Sequence, residues 1–158
     1  MIIRQARAED AEAVAALWNP MIRETAITFN SAEKTVAGLR EEIGTPHAFL
    51  LAEEEGALLG FATYGQFRGG VGYARTGEHT VILAPDSRGR GIGRTLVEAV
   101  EEHAREAGFH SMFAGVSGEN PGGVAFHERL GYAQVAVLAQ VGRKFGRWMD
   151  LILLQKLL

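Results

Sequence analysis

Residues 84–100 read APDSRGRGIGRTLVEAV, with Gly89, Gly91 and Gly93 interleaved with Arg88, Arg90 and Arg94 ahead of an apolar-striped run. Glycine at a helix start lets main-chain N–H groups approach a ligand closely. The helix N-terminus offers unpaired donors and the positive end of a dipole to an anion. Arginines add charge-assisted hydrogen bonds to phosphate. The stretch is therefore a candidate phosphate seat, formed by Arg88, Gly89, Arg90, Gly91, Ile92, Gly93 and Arg94. Two familiar phosphate loops do not fit it. The nucleotide P-loop ends in Gly-Lys-Ser/Thr, and the lysines, Lys34, Lys144 and Lys156, all lie elsewhere. The dinucleotide fingerprint needs a third glycine where Arg94 stands.

Few other groups could move protons or attack a carbon. With no cysteine, a thiolate nucleophile, a disulfide framework and a Cys-type zinc site are excluded. Glu78 opens the apolar segment EHTVILAP that leads into the phosphate seat. Asn120 and His127 stand seven positions apart, which puts Asn120 in a leading loop and His127 nearly two turns into a short helix. His79 follows Glu78 and, on a strand, points to the opposite face. His47, His103 and His110 show no metal-ligand spacing, so no metal is expected.

At the N-terminal end, MIIRQA alternates like a strand. In AEDAEAVAALWNPMI, residues Ala11, Val14, Leu17 and Trp18 share a helical face that Pro20 is expected to interrupt. SAEKTVAGLREEI predicts a second helix with Ser31 as N-cap. The segment 47–65 reads as a hairpin turning at Glu55-Gly56, and a glycine-rich loop over 69–77 precedes the strand that Glu78 opens. The helix after Gly91 carries Ile92, Leu96, Val100 and Ala104 at steps of four. HSMFAGVS, GGVAFHERLG, AQVAVLAQVG and WMDLILLQKL complete a β-α-α-β-β-β-α-β-α-β-β order, an α/β arrangement around one sheet.

The length of 158 residues suits a single domain, 1–158, with a substantial core. A net charge of −3 argues against nucleic-acid or anionic-membrane partners. The N-terminus lacks signal-peptide features and no run has the length of a membrane span, so a cytoplasmic enzyme or binding domain is expected.

The Arg88-x-x-Gly91-x-Gly93 motif, after a strand ending LAP and before a long helix, resembles the signature of the GNAT superfamily of N-acetyltransferases. GEHTVILAPDSRGRGIG, ENPGGVAFHERLGY and QVGRKFGRWMDLILLQ look like its phosphinothricin and methionine-sulfoximine acetyltransferase branch, as do ETAITFNS and GFATYGQFR. The likeness spans nearly the whole chain. One departure stands out: the branch carries Tyr-Arg-x-Thr-x-Glu where this chain reads Tyr73-Ala74-Arg75-Thr76-Gly77-Glu78, with the arginine displaced by one place.

The resemblance implies a mixed, mostly antiparallel central sheet with a splayed pair of strands, flanked by helices. It implies acetyl-CoA as co-substrate, its pyrophosphate on the glycine loop, and the main chain of Val81, Ile82 and Leu83 beside it. Asn120 would contact the pantetheine arm. Glu78 would be the general base that deprotonates the amine, and His127 would protonate or hydrogen-bond the departing thiolate. Phe29, Arg68, Tyr73, Arg75 and Thr76 would bind the acceptor, a small amino-acid-like amine, with the arginines reading its acidic group. A homodimer is also implied. The alternatives are a peptide or protein N-terminal acetyltransferase and a non-catalytic acyl-CoA sensor.

Overall fold

Apolar alternation at both ends of the chain meets in one seven-stranded sheet in the computed structural model, which describes Met1–Leu158. The strands are β1 (Ile2–Gln5), β2 (Phe49–Glu54), β3 (Ala57–Gln66), β4 (Thr76–Leu83), β5 (Ser111–Ser117), β6 (Ala133–Lys144) and β7 (Arg147–Leu157). Their spatial order is β1-β2-β3-β4-β5-β7-β6. Every neighbouring pair is antiparallel except β4 and β5. Positive φ at Glu55 and Gly56 closes the predicted hairpin, the left-handed pair that a two-residue turn between twisted strands requires.

Helices cover both faces. On one side α3 (Ile92–Glu106) and α4 (Pro121–Arg129) lie over a core where Ile92, Leu96, Val97, Val100 and Ala104 meet Ala62, Met112 and Leu154. On the other, α1 (Ala11–Glu24) and α2 (Val36–Ile43) bury Val14, Trp18, Ile22 and Leu39 against Phe49, Phe61 and Ile82. The step-of-four stripe on α3 is fully buried. Each such leucine or valine contributes about 1.5–3 kcal/mol.

Two local expectations are corrected. Pro20 does not interrupt α1, which continues to Glu24. The turn beyond it buries Met21 and Ile22, and that burial offsets the hydrogen bond that proline cannot donate. Ser31 does not cap α2. Thr35 does, its Oγ1 accepting from the Gly38 N–H at 3.0 Å, and the helix starts at Val36.

The feature that positions chemistry is a parting of strands. β4 and β5 pair only from Thr76↔Ser111 to His79↔Ala114. Beyond that point β4 stays on β3 as far as Gly60↔Leu83, while β5 stays on β7 as far as Ser117↔Leu151. The facing edges of Thr80–Leu83 and Gly115–Ser117 therefore have no ladder partner across the gap.

Candidate active site

The parted strands open into a cleft of about 510 Å³. Its walls are Thr80, Val81, Ile82 and Leu83 from β4, Ala114, Gly115, Val116 and Ser117 from β5, and Asn120, Gly122, Gly123, Phe126 and His127 around α4. Trp18, Ile27, Thr28 and Phe29 line it from the first helix and the segment after it, and Arg88 stands at the glycine loop. Unpaired main-chain groups along one edge of an apolar cleft suit an extended ligand carrying amides of its own.

The glycine loop has the geometry of an anion seat. Gly91 is the N-cap of α3 with φ 79°, and no side chain caps the helix. That left-handed conformation is costly for other residues. A Cβ built on Gly91 would meet no atom within 4 Å, so the loop is open at this point. Gly93 serves packing, since a Cβ there would stand 3.1 Å from the Phe126 ring. Ile92 is buried and can offer only its main chain. The arginines divide. Arg90 donates to Glu54 at 2.9 Å, and Arg94 to Glu98 at 3.2 Å and the Arg129 carbonyl at 3.3 Å. Arg88 makes no ion pair and is the arginine that lines the cleft. These groups fit a pyrophosphate.

Asn120 caps α4, its Oδ1 accepting from the Gly123 N–H at 3.0 Å. Its Nδ2 donors remain for the cleft it lines.

A second pocket of about 440 Å³ opens near α1 and α2. It shares Trp18, Thr28 and Thr80 with the cleft and adds Asn30, Lys34, Glu42, His47, Tyr64 and Glu78. Glu78 reaches from this pocket towards the gap in the sheet. Its Oε2 lies 3.0 Å from where a Cβ on Gly115 would stand, and Gly115 is a wall of the cleft. Glycine at 115 thus makes room for the carboxylate between the two cavities. Burial raises the Glu78 pKa above the ordinary carboxylate range, because the charged form loses hydration.

His127 is buried, and both of its ring nitrogens are engaged inside the protein. Nδ1 lies 2.8 Å from the Gly123 carbonyl, and Nε2 lies 2.9 Å from Nε2 of His79. Burial lowers the pKa of both imidazoles, that of His79 to about 3, where the nearby charges of His127 and Lys156 add to the effect. His79, set aside in the sequence because alternation turns it away from Glu78, lines the cleft beside His127.

Phe29 lines the cleft, and its ring packs on Gly142. The other acceptor candidates lie outside both cavities. The Arg75 Nη1 donates to the Gly108 carbonyl at 3.1 Å. Arg68 sits over the half-exposed Tyr73 ring, 5.7 Å from its centroid, on the exposed 68–74 loop. Thr76 pairs with Ser111 in the sheet. Lys34, which no sequence motif singled out, is the lysine or arginine that lines the Glu78 pocket. Its ammonium sits 4.3 Å over the Trp18 ring and 2.9 Å from Glu42. No group of three acidic, cysteine or histidine side chains is arranged to hold a metal. No helix is long and apolar enough to cross a membrane.

The chain belongs to the Acetyltransferase (GNAT) family, which it matches over residues 10–132. It is an N-acetyltransferase. Among its relatives, the L-amino acid N-acyltransferase MnaT of Escherichia coli K12 is 36% identical over 98% of this chain and 92% of its own. The L-methionine sulfoximine/L-methionine sulfone acetyltransferase of Salmonella typhimurium is 35% identical over 98% and 93%. Two solved structures share the fold along essentially the whole chain. One is a ribosomal-protein-alanine N-acetyltransferase from Brucella melitensis, with TM-score 0.95, 35% identity and 100% of both chains covered. The other is yncA of Salmonella typhimurium with its cofactor acetyl-CoA, with TM-score 0.94, 32% identity and 99% and 93% covered.

Proposed function

We propose that this N-acetyltransferase moves the acetyl group of acetyl-CoA onto the primary amine of a small amino-acid-like acceptor, with Glu78 as general base. Acceptors of the phosphinothricin, methionine sulfoximine and methionine sulfone type are the class in view. The observation that carries the reading is the placement of Glu78, in a polar pocket on one face of the sheet with its carboxylate beside Gly115 of the cleft. Relatives named for L-amino acids and for methionine sulfoximine and sulfone support the acceptor class.

Acetyl-CoA supplies an activated thioester carbonyl, and the rest is done by the chain. The amides that open α3 and the free guanidinium of Arg88 hold the pyrophosphate. Asn120 Nδ2 and the unpaired edge of Val81–Leu83 hold the pantetheine arm, and main-chain N–H groups of that edge face the oxygen that becomes negative on attack. Glu78 takes a proton from the acceptor ammonium, directly or through a water. Its pKa, raised by burial, brings it closer to that of the amine it must deprotonate. Lys34 faces the acceptor carboxylate across the same pocket, and Phe29 closes the cleft side. His127 forms part of the wall beside the departing sulfur. A homodimer is part of this reading, and the exposed Val135, Val137 and Val141 of the edge strand β6 suit it.

A thiol-release assay with a panel of amino acids, sulfoximines, sulfones and alanine-ended peptides tests the reading. Turnover of free amino-acid analogues above peptides is expected, together with a fall of about 10²–10⁴-fold for Glu78→Gln at unchanged acetyl-CoA affinity. Preference for the peptides would transfer the function to the acceptor class for which the Brucella neighbour is named. Near-normal turnover by Glu78→Gln, with chemistry rate-limiting, would remove Glu78 from the mechanism.

A further inference from the structure

The stretch QVGRKFGRWMD, residues 140–150, takes no part in the reaction outlined above. It forms the outer end of the β6–β7 hairpin, which turns at Phe145 and Gly146 with positive φ at both. Residues 139–141 of β6 stand opposite Asp150 alone, between the pairs Leu138↔Leu151 and Gly142↔Met149. Such a bulge bends its strand and re-aims the side chains beyond it. The Gln140 N–H fastens the bulge, donating to Asp150 Oδ1 at 2.9 Å.

Beyond the bulge, Gly142 and Lys144 share one strand face. Both are buried, whereas Val141, Arg143 and Phe145 are exposed. The buried face meets the segment between α1 and α2. Lys144 Nζ donates to the Thr28 carbonyl at 2.8 Å, and a Cβ on Gly142 would overlap the Phe29 ring. The same hairpin end holds the loop ahead of α4. Arg147 donates to Glu119 twice, at 2.9 and 2.6 Å, and the Gly118 N–H donates to the Asp150 carbonyl at 2.8 Å.

The two attachments secure unequal things. The loop ahead of α4 runs directly between β5 and α4, which already fix its ends. Residues 26–32 belong to no helix or strand. Their other hydrogen bonds are local: Ile27 N–H to Thr25 Oγ1, Asn30 N–H to Thr28 Oγ1 and Ala32 N–H to Asn30 Oδ1. The Lys144 bond is the one that ties them to another element. Their position matters because Thr28 lines both cavities, Phe29 lines the cleft and Asn30 lines the second pocket. Lys144 is also held at a cost. Lys34 and Lys156 pair with Glu42 and Glu101, while Lys144, 5% exposed, makes no ion pair and faces a neutral carbonyl. Burying an ammonium without a carboxylate is unfavourable, and an apolar side chain of similar length would avoid the penalty.

We infer that Lys144 and Gly142 are positioning residues that set acceptor selectivity, fixing Thr28 and the Phe29 ring where the two cavities adjoin. This rests on the reading of a free amino-acid-like acceptor bound at that junction. Lys144 holds the segment in, so that the Phe29 ring limits the side chain an acceptor can carry. Gly142 lets the ring lie back against β6. Any larger residue there drives the ring off the strand and into the cleft it lines.

The test pairs Lys144→Met, which keeps the length and removes the donor, with Gly142→Ala. Acetyl transfer from acetyl-CoA is measured on free L-amino acids of graded size, from alanine through norleucine and methionine sulfone to phenylalanine. Lys144→Met should raise KM for the best acceptor about tenfold, as the seated fraction of the segment falls. Its kcat should change less, its preference across the series should flatten, and its acetyl-CoA affinity by calorimetry should stay unchanged. Its Tm should hold or rise, because an unpaired buried charge has gone. Gly142→Ala should shift preference towards the smaller amino acids. Folded variants with the wild-type KM and the wild-type ranking overturn the inference. So does a lowered Tm for Lys144→Met with equal losses for every acceptor and for acetyl-CoA, which marks a role in stability alone. A wild type that acetylates no amine of the series overturns the functional reading, and this inference with it.

Discussion

Arg88, Arg90 and Arg94 are alike in the sequence, yet their surroundings assign them unequal shares of coenzyme binding. Arg90 is bound to Glu54 and Arg94 to Glu98 and the Arg129 carbonyl, whereas Arg88 has no anionic partner and lines the cleft. A charge-assisted hydrogen bond contributes about 1.5–3 kcal/mol, and each 1.4 kcal/mol is tenfold in affinity. Arg88→Ala is therefore expected to weaken acetyl-CoA binding about 10- to 150-fold. Arg90→Ala removes an exposed ion pair worth at most about 1 kcal/mol, so binding should weaken no more than severalfold. Calorimetric titration of the two alanine variants measures this directly. Repeating it at several salt concentrations should give a shallower salt dependence for Arg88→Ala than for the wild type, since one phosphate contact is gone. Glu54→Gln frees the Arg90 guanidinium and should not weaken binding. Wild-type affinity for Arg88→Ala, with a tenfold or greater loss for Arg90→Ala, would refute the reasoning.

Acceptor recognition gives a second contrast: Lys34→Gln should lower kcat/KM for a free amino acid about 10- to 150-fold and for its amide much less, while Arg75→Ala should treat the two acceptors alike. The reverse pattern in the same assay would return the carboxylate to Arg75. Acid stability provides a third. Hydrogen bonds from Arg4 hold the Asp10 carboxyl at about 2, below its unfolded value, so the stabilisation is present above about pH 4 and is lost as pH falls towards 2. At about 1.4 kcal/mol per unit this amounts to roughly 2 kcal/mol. Asp10→Asn should lower Tm by about 4–8 °C at pH 7 and by little at pH 2, as thermal melts across that range will read.

Local pattern carried the strands and helices because their signals are local. The α3 stripe at Ile92, Leu96, Val100 and Ala104 is buried as its spacing required, and the Glu55-Gly56 turn has the backbone that a short hairpin needs. Caps were less legible. Ser31 and Thr35 are both good capping residues, and the choice of Thr35 depends on the 25–35 segment being tied down, with the Lys34 main chain bonded both ways to the Asn19 side chain. At the site, the glycine loop was readable because its members are consecutive. The hydrogen bonds that link Tyr132 to His79 and to Glu101 were not, because the bonded partners stand 53 and 31 residues apart in the chain. Alternation correctly turned His79 away from Glu78, but strands that part expose both of their faces to one gap, so the opposite face is still the site. The inequality of the three arginines was equally hidden, since Glu54 reaches Arg90 from a different hairpin.

A sheet ordinarily divides a protein into two sides that do not communicate. Here the division has an aperture where β4 leaves β5, and the two cavities that adjoin there share Thr80, Thr28 and Trp18. On the proposed assignment, donor and acceptor need not queue for one doorway. Each can arrive while the other is seated, which favours a kinetic scheme in which both are bound before either product leaves, giving intersecting double-reciprocal lines. Inhibition follows the same plan: a molecule filling one chamber competes with one substrate only, whereas one threaded through the aperture competes with both.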